Sequence, residues 1–327
     1  MIGRATNRGP PASGAPVRLA AMPRHFLSVD DLAPDELAWL LDLSAKVKAT
    51  PEDYADRLRR KAVAMIFEKP STRTRVSFEV AVASTGGHPV ALSSSELQLG
   101  RGETIEDTGR VLSRYADAIV LRTFEQERLE VLAGAASVPV VNALSDFEHP
   151  CQCLADLLTV REIKGELAGR TLVYLGDGNN VTHSLLLGGA MAGMRVRAAT
   201  PPGFEPIPQV VQRAREIASE TGGAIEILTD PLEASRGADV LYTDVWASMG
   251  REEEADERAL IFPAYQLDAR KVEVATPDVT VLHCLPAHRG QEITDEVIDG
   301  PHSAVWDEAE NRLHTQKALL LWLLNAL

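Results

Sequence analysis

Pro70-Ser71-Thr72-Arg73-Thr74-Arg75 places two guanidinium groups and three hydroxyls within six positions. An apolar run, Ala62 to Phe67, precedes it, and Val76, Val80 and Ala83 follow at i, i+4 and i+7, which reads as strand, turn and helix start. Backbone N–H groups at a helix N-terminus have no intrahelical partner and sit at the positive end of the helix dipole, while arginine offers a planar fork matched to phosphate oxygens. Ser71 capping a helix beside solvated arginines would be the plain account, but the cluster is denser than a cap requires. The expected ligand is a phosphorylated small molecule.

Other polar residues stand where strands should end. Arg122 follows Ala118-Ile119-Val120-Leu121, and His149 precedes a helix opened by Pro150, a favoured proline position. With Ser71, these groups converge on the carboxyl edge of a sheet, where open α/β folds bind ligands. Val173-Tyr174-Leu175-Gly176-Asp177-Gly178-Asn179-Asn180 resembles a dinucleotide-binding turn, but Val181 stands where the third glycine belongs and no acidic residue follows the next strand near Thr200. An oxidoreductase is therefore the lesser reading, and the turn serves to bring Asn179 and Asn180 to a strand end. Asp244 precedes Ser248-Met249-Gly250, and Cys284 lies in His283-Cys284-Leu285-Pro286. Taken singly, Asp244 is a helix cap, Met249 a gap filler and Cys284 inert packing.

The elements that must hold these groups alternate between strand and helix. Leu32, Leu37, Leu40, Leu41 and Leu43 predict a first helix capped by Ser28 or Asp30. Strands are predicted at 62–67, 89–92, 118–121 and 138–141, with helices over 105–115 and 125–133. A helix over 150–163 separates this series from a second one, whose strands are predicted at 171–175, 196–199, 225–228, 240–242 and 279–283. The expectation is an α/β protein of two domains, each a parallel sheet flanked by helices, with helices linking them. Residues 22–150 form the first domain and 151–308 the second, and a C-terminal helix is predicted at 309–326. Residues 1–21, with Arg4, Arg8, Arg18 and several prolines, read as a disordered extension.

Bulk properties narrow the function. The chain has 327 residues, enough for two cores. A net charge of −14 argues against general nucleic-acid binding. No apolar stretch approaches the ~20 residues of a membrane span. Three cysteines, Cys151, Cys153 and Cys284, show no disulfide framework and suit a reducing, cytoplasmic setting. His283, Cys284 and His288 with Cys151 and Cys153 do not match structural zinc spacing, so no metal is expected.

The Ser-Thr-Arg-Thr-Arg turn, His149-Pro150-Cys151-Gln152, Asp244 with Ser248-Met249-Gly250, His283-Cys284-Leu285-Pro286 and Glu310-Asn311-Arg312 occur in an order that resembles the aspartate/ornithine carbamoyltransferase family, on its ornithine-using side, from Leu27 to the C-terminus. The resemblance implies transfer of a carbamoyl group from carbamoyl phosphate to the δ-amine of L-ornithine, giving L-citrulline and phosphate, in arginine biosynthesis and without a cofactor. It implies that Ser71, Thr72, Arg73, Thr74, Gln98, Arg122, His149, Gln152, Cys284, Leu285 and Arg312 hold carbamoyl phosphate. Asn180, Asp244, Ser248 and Met249 hold ornithine, and Arg122, His149, Cys284 and Asp244 are the catalytic set. It further implies a homotrimer in which Gln98, on the loop 92–103, completes a neighbouring chain's site. Other acceptors (aspartate, putrescine, N-acetylornithine) and a silent binding subunit on the same fold are the competing readings.

Overall fold

The computed structural model describes residues 23–93, 102–247 and 255–327. The first series comprises α1 (Pro34–Ala49), β1 (Ala62–Phe67), α2 (Thr72–Ala83), β2 (His88–Ser93), α3 (Ile105–Leu112), β3 (Ala118–Arg122), α4 (Gln126–Ala135), β4 (Val140–Leu144) and α5 (Pro150–Lys164). The second comprises β5 (Thr171–Leu175), α6 (Asn180–Met191), β6 (Arg195–Ala199), α7 (Pro208–Thr221), β7 (Ala224–Leu228), α8 (Pro231–Ser235), β8 (Val240–Thr243), α9 (Ala255–Ile261), α10 (Ala269–Val274), β9 (Thr280–His283), α11 (Asp295–Ile298) and α12 (Val305–Leu323). Among the described residues the strands form a four-stranded sheet, β2-β1-β3-β4, and a five-stranded sheet, β7-β6-β5-β8-β9. All named strand pairs are parallel.

Each sheet reverses direction once, and each reversal opens a crevice at the carboxyl ends of the strands. In the first sheet the chain leaves β1 toward β2 on one side and β3 on the other, so the Ser71 turn and Arg122 flank one crevice; Phe67 pairs with Arg122, where the β3–β4 register shifts. In the second, β5 lies between β6 and β8, which sets the Gly176–Asn180 turn beside Asp244, and Thr243 pairs with His283 so that Cys284 follows next to Asp244. Helix α5, buried from Pro150 to Val160, packs on β4, α6 and α12, while α12 packs on α1, α2 and α5.

Several boundaries differ from expectation for identifiable reasons. Ser28 caps a short 3-10 turn (Val29–Asp31), and α1 starts later, at Pro34, where the Glu36 side chain accepts the Ala33 N–H at 2.9 Å. Strand β4 begins at Val140 instead of Val138, because Pro139 has no N–H for the ladder. Helix α3 ends at Leu112, three residues early, and α12 starts at Val305, four residues before the expected 309. No helix of the described residues is long and apolar enough to cross a membrane. Residues 1–21, Gln98, Ser248 and Met249 lie outside the described residues.

Candidate active site

The two crevices face each other across one cleft of about 480 Å³. From the first sheet it is lined by Lys69, Ser71, Arg73, Thr74, Arg122 and His149, with Arg312 from α12; from the second by Asp177, Asn180, Asp244, Arg258, Cys284 and Leu285. Thr72 does not line it: its side chain is exposed, leaving only its place in the first turn of α2. Gln152 is buried one layer behind.

The cationic end is built on a helix cap. Ser71 accepts the Thr74 N–H at 3.2 Å, fixing the N-terminus of α2. Thr74 Oγ1 accepts from Arg312 Nη2 at 2.9 Å and from Arg122 Nη1 at 3.5 Å, so one hydroxyl aligns two guanidinium groups. Burial, followed by the charges of Arg312 and Arg73, lowers the Arg122 pKa to about 10, which still leaves it charged at neutral pH. Burial lowers that of Arg312 as well. His149 is pushed well below its ordinary value by burial and by Arg312, Arg122 and Arg73, so its ring is neutral; its Nδ1 has no hydrogen-bond partner among the described residues. Two buried arginines, Arg122 and Arg312, with the partly buried Arg73 beside them call for an anion.

The opposite end is organised around Asp244. Its Oδ2 accepts from Asn179 Nδ2 at 2.9 Å, and its Oδ1 accepts the Val245 N–H at 2.8 Å and the Cys284 thiol at 2.9 Å. Burial and the Asp244 charge raise the Cys284 pKa well above its ordinary value, so the sulfur is a protonated thiol rather than a nucleophile. Asn180 Nδ2 donates to the Ser145 carbonyl at 2.6 Å, tying the start of α6 to the loop after β4. Leu285 has φ 56°, an unfavourable backbone state for a residue with a Cβ, and its N–H donates to His283 Nδ1 at 2.8 Å. His283 Nε2 meets Glu292 Oε1 at 3.1 Å.

The cysteine and histidine segments gather less than their sequence proximity suggests. Asp244, His283 and Cys284 each bring a potential ligand atom within 4.8 Å of the others. Both ring nitrogens of His283 are already engaged, however, and the Cys284 thiol is committed to Asp244. Cys151 and Cys153 are buried on α5 against the backbone carbonyls of Asn142 and Ser184.

Several cleft residues escaped sequence reasoning. Lys69 pairs with Asp146 and lies 4.3 Å from the Phe124 ring centroid. Arg258 binds Asp177 and the Trp246 carbonyl, each at 2.6 Å, and stacks 4.9 Å from the Phe204 ring centroid. The Gly176–Asn180 turn points to Asn179 and Asn180 rather than to Asp177, and nothing local flags Arg258, which reaches Asp177 across 81 positions.

Behind His149, Glu148 is fully buried and accepts from the Ser28 hydroxyl, the Val29 N–H and Ser184 Oγ, while Ser184 Oγ accepts the His149 N–H at 2.9 Å. Burial raises the Glu148 pKa from 4.5 to about 7. The folded state therefore binds this proton more tightly than the unfolded chain; the stabilisation is complete below the ordinary carboxylate range and is lost as pH rises through about 7. Glu148→Gln should flatten the fall in melting temperature between pH ~5 and ~8. An unchanged slope in that variant would show that Glu148 does not titrate there.

The comparisons agree with this geometry. The model described as "Aspartate/ornithine carbamoyltransferase, carbamoyl-P binding domain" matches residues 24–162, and that described as "Aspartate/ornithine carbamoyltransferase, Asp/Orn binding domain" matches 168–323. An ornithine carbamoyltransferase of Parafrankia sp. is 63% identical over 305 residues, covering 92% of this chain and 96% of the relative. One from Acidothermus cellulolyticus is 59% identical, covering 93% of this chain and 98% of its own. The structure of ornithine carbamoyltransferase from Pyrococcus furiosus superposes with a TM-score of 0.88 at 53% identity, covering 91% of this chain and 96% of that one. With both family models matched across nearly the whole described chain, the protein belongs to the aspartate/ornithine carbamoyltransferase family.

Proposed function

We infer that the protein transfers the carbamoyl group of carbamoyl phosphate to the δ-amine of L-ornithine, releasing L-citrulline and phosphate. The observation that carries this reading is the polarity of the cleft: Arg73, Arg122 and Arg312 gather at one end, and Asp244 stands at the other, where Asp177 is paired with Arg258. A phosphate fits the first end and an amino acid's ammonium the second. The close relatives bear the name of this activity.

The chemistry needs positioning more than covalent help. The amine lone pair attacks the carbamoyl carbon, the carbonyl oxygen gathers negative charge, the bond from that carbon to the bridging phosphate oxygen then breaks, and the proton given up by the amine nitrogen ends on the released phosphate. Thr74, Arg122 and His149 stabilise the oxygen, while Arg73 and the N-terminus of α2 hold the departing phosphate. Holding two substrates in attack geometry can itself be worth ~7–11 kcal/mol. The protonated Cys284 thiol and the Leu285 carbonyl orient the carbamoyl group and the amine. Ornithine's δ-amine has a solution pKa of roughly 10.4, so the site must favour its neutral form. Asp244 and Asn180, with Ser248 and Met249, hold the amino-acid end.

In this reading residues 22–150, closed by the C-terminal helix, carry carbamoyl phosphate, and 151–308 carry ornithine. The setting is arginine biosynthesis in the cytoplasm. Gln98 acts in a neighbouring subunit of a homotrimer. Mixing inactive Gln98→Ala and Arg122→Ala chains should restore part of the activity, since hybrid trimers contain sites with both residues intact; no recovery in verified mixed trimers argues against shared sites. The function itself is tested by comparing ornithine, aspartate, putrescine and N-acetylornithine as acceptors. Preference for any other acceptor would overturn the assignment to ornithine.

A further inference from the structure

Beneath the cationic end of the cleft lie two acids that the transfer chemistry does not use, Asp156 on α5 and Glu308 on α12, both fully buried. Gln152 Nε2 donates to Asp156 Oδ1 at 2.8 Å and to Glu308 Oε1 at 2.9 Å, so one amide spans both carboxyl groups. With its N–H groups used, Gln152 turns Oε1 toward Arg312 and accepts from Nη1 at 2.8 Å. The other terminal nitrogen of that guanidinium holds Thr74.

The two acids are not equally served by donors. Glu308 also receives the Tyr242 hydroxyl at 3.1 Å and the His283 backbone N–H at 2.8 Å. Asp156 Oδ2 receives no donor among the described residues. A buried carboxylate oxygen without a donor is costly, whereas a protonated one needs only an acceptor, and the Gln152 amide, bonded to both acids, holds the two carboxyl groups side by side.

We propose that Asp156 carries a proton that it donates to an ionised Glu308, and that this pair, with one proton and one charge, positions Gln152 and through it Arg312 and Thr74 at the carbamoyl phosphate end of the cleft. The proposal rests on the transfer reaction inferred above. Burial and the Glu308 charge push the Asp156 pKa well up, and the groups facing the pair, Arg312, Tyr242, His283 and Cys284, include one fixed cation. A second ionised carboxylate here would set like charges side by side and place an extra negative charge beneath the phosphate. Neither acid touches substrate; both act through Gln152.

Isosteric amides report which acid holds the proton. In Asp156→Asn the side-chain N–H can donate where the acid O–H did, so the network survives. In Glu308→Gln an amide N–H2 meets either the His283 N–H or the donors on Oε1, and the network breaks. Asp156→Ala and Glu308→Gln should each raise the carbamoyl phosphate KM about tenfold or more, with the ornithine KM changed less than about threefold, and Asp156→Asn should return the carbamoyl phosphate KM to within about threefold of the parent. An infrared difference spectrum, parent minus Asp156→Asn, should show the C=O band of a protonated, buried carboxylic acid. Asn as damaging as Ala at position 156, or no such band, would overturn the proposal. Absence of carbamoyl transfer by the parent protein would instead overturn the functional reading, and the infrared band would still decide where the proton resides.

Discussion

Arg73→Ala should lower kcat/KM by about a hundredfold or more, because the departing phosphate loses a planar, charge-assisted partner. The guanidinium lines the cleft from the first turn of α2 and is only partly buried. Its removal therefore leaves no enclosed cavity, and the melting temperature should hold. Arg312 offers no such clean test, since it is buried and bonded to both Gln152 and Thr74. Calorimetric titration without ornithine should show weaker carbamoyl phosphate binding in Arg73→Ala. Arg73→Lys, which keeps a charge but not the fork, should recover only part of the loss. Unchanged carbamoyl phosphate affinity in the alanine variant would sink the assignment of Arg73 to the phosphate.

What was legible beforehand follows from how much of the signal is local. Parallel strands are buried on both faces, so they read as short continuous apolar runs, and β1, β3 and β5 lie within a residue of expectation. Helix α6 gave no clear period because it is buried from Val181 to Met191 and has no polar face. The early start of α12 was hidden because Ala304, at its N-cap, offers no side-chain signal. Ser71, Arg73, Arg122, His149, Asp244 and Cys284 could be found because each ends a strand or opens a helix, where α/β folds place ligands. Their partners were harder to see. Asp156, Glu308 and Arg258 look like ordinary charges on helices, and only contacts spanning 81 to 156 positions reveal that they are buried and bonded to other polar groups.

Asp244→Asn should impair ornithine use selectively, lowering kcat/KM for ornithine by about a hundredfold while carbamoyl phosphate still binds alone. Loss of the negative charge opposite the α-ammonium is one reason, and local hydrogen bonding supplies a second. Asp244 accepts on both oxygens, from Asn179 on one and from Val245 and Cys284 on the other. An asparagine must present N–H2 at one of these places. The Asn179 amide cannot turn round to accept it, because Asn179 Oδ1 caps α6 through the Val181 and Thr182 N–H groups at 3.0 and 3.1 Å. Turned the other way, the new amide faces the Val245 N–H and displaces the Cys284 thiol, which then loses the acceptor that fixes it in the cleft wall. Either orientation disturbs the ornithine end and leaves the contacts of Thr74, Arg122 and Arg312 untouched. Equal losses for both substrates, or a melting temperature lowered by many degrees, would instead make Asp244 a support for the second sheet rather than the group that receives ornithine.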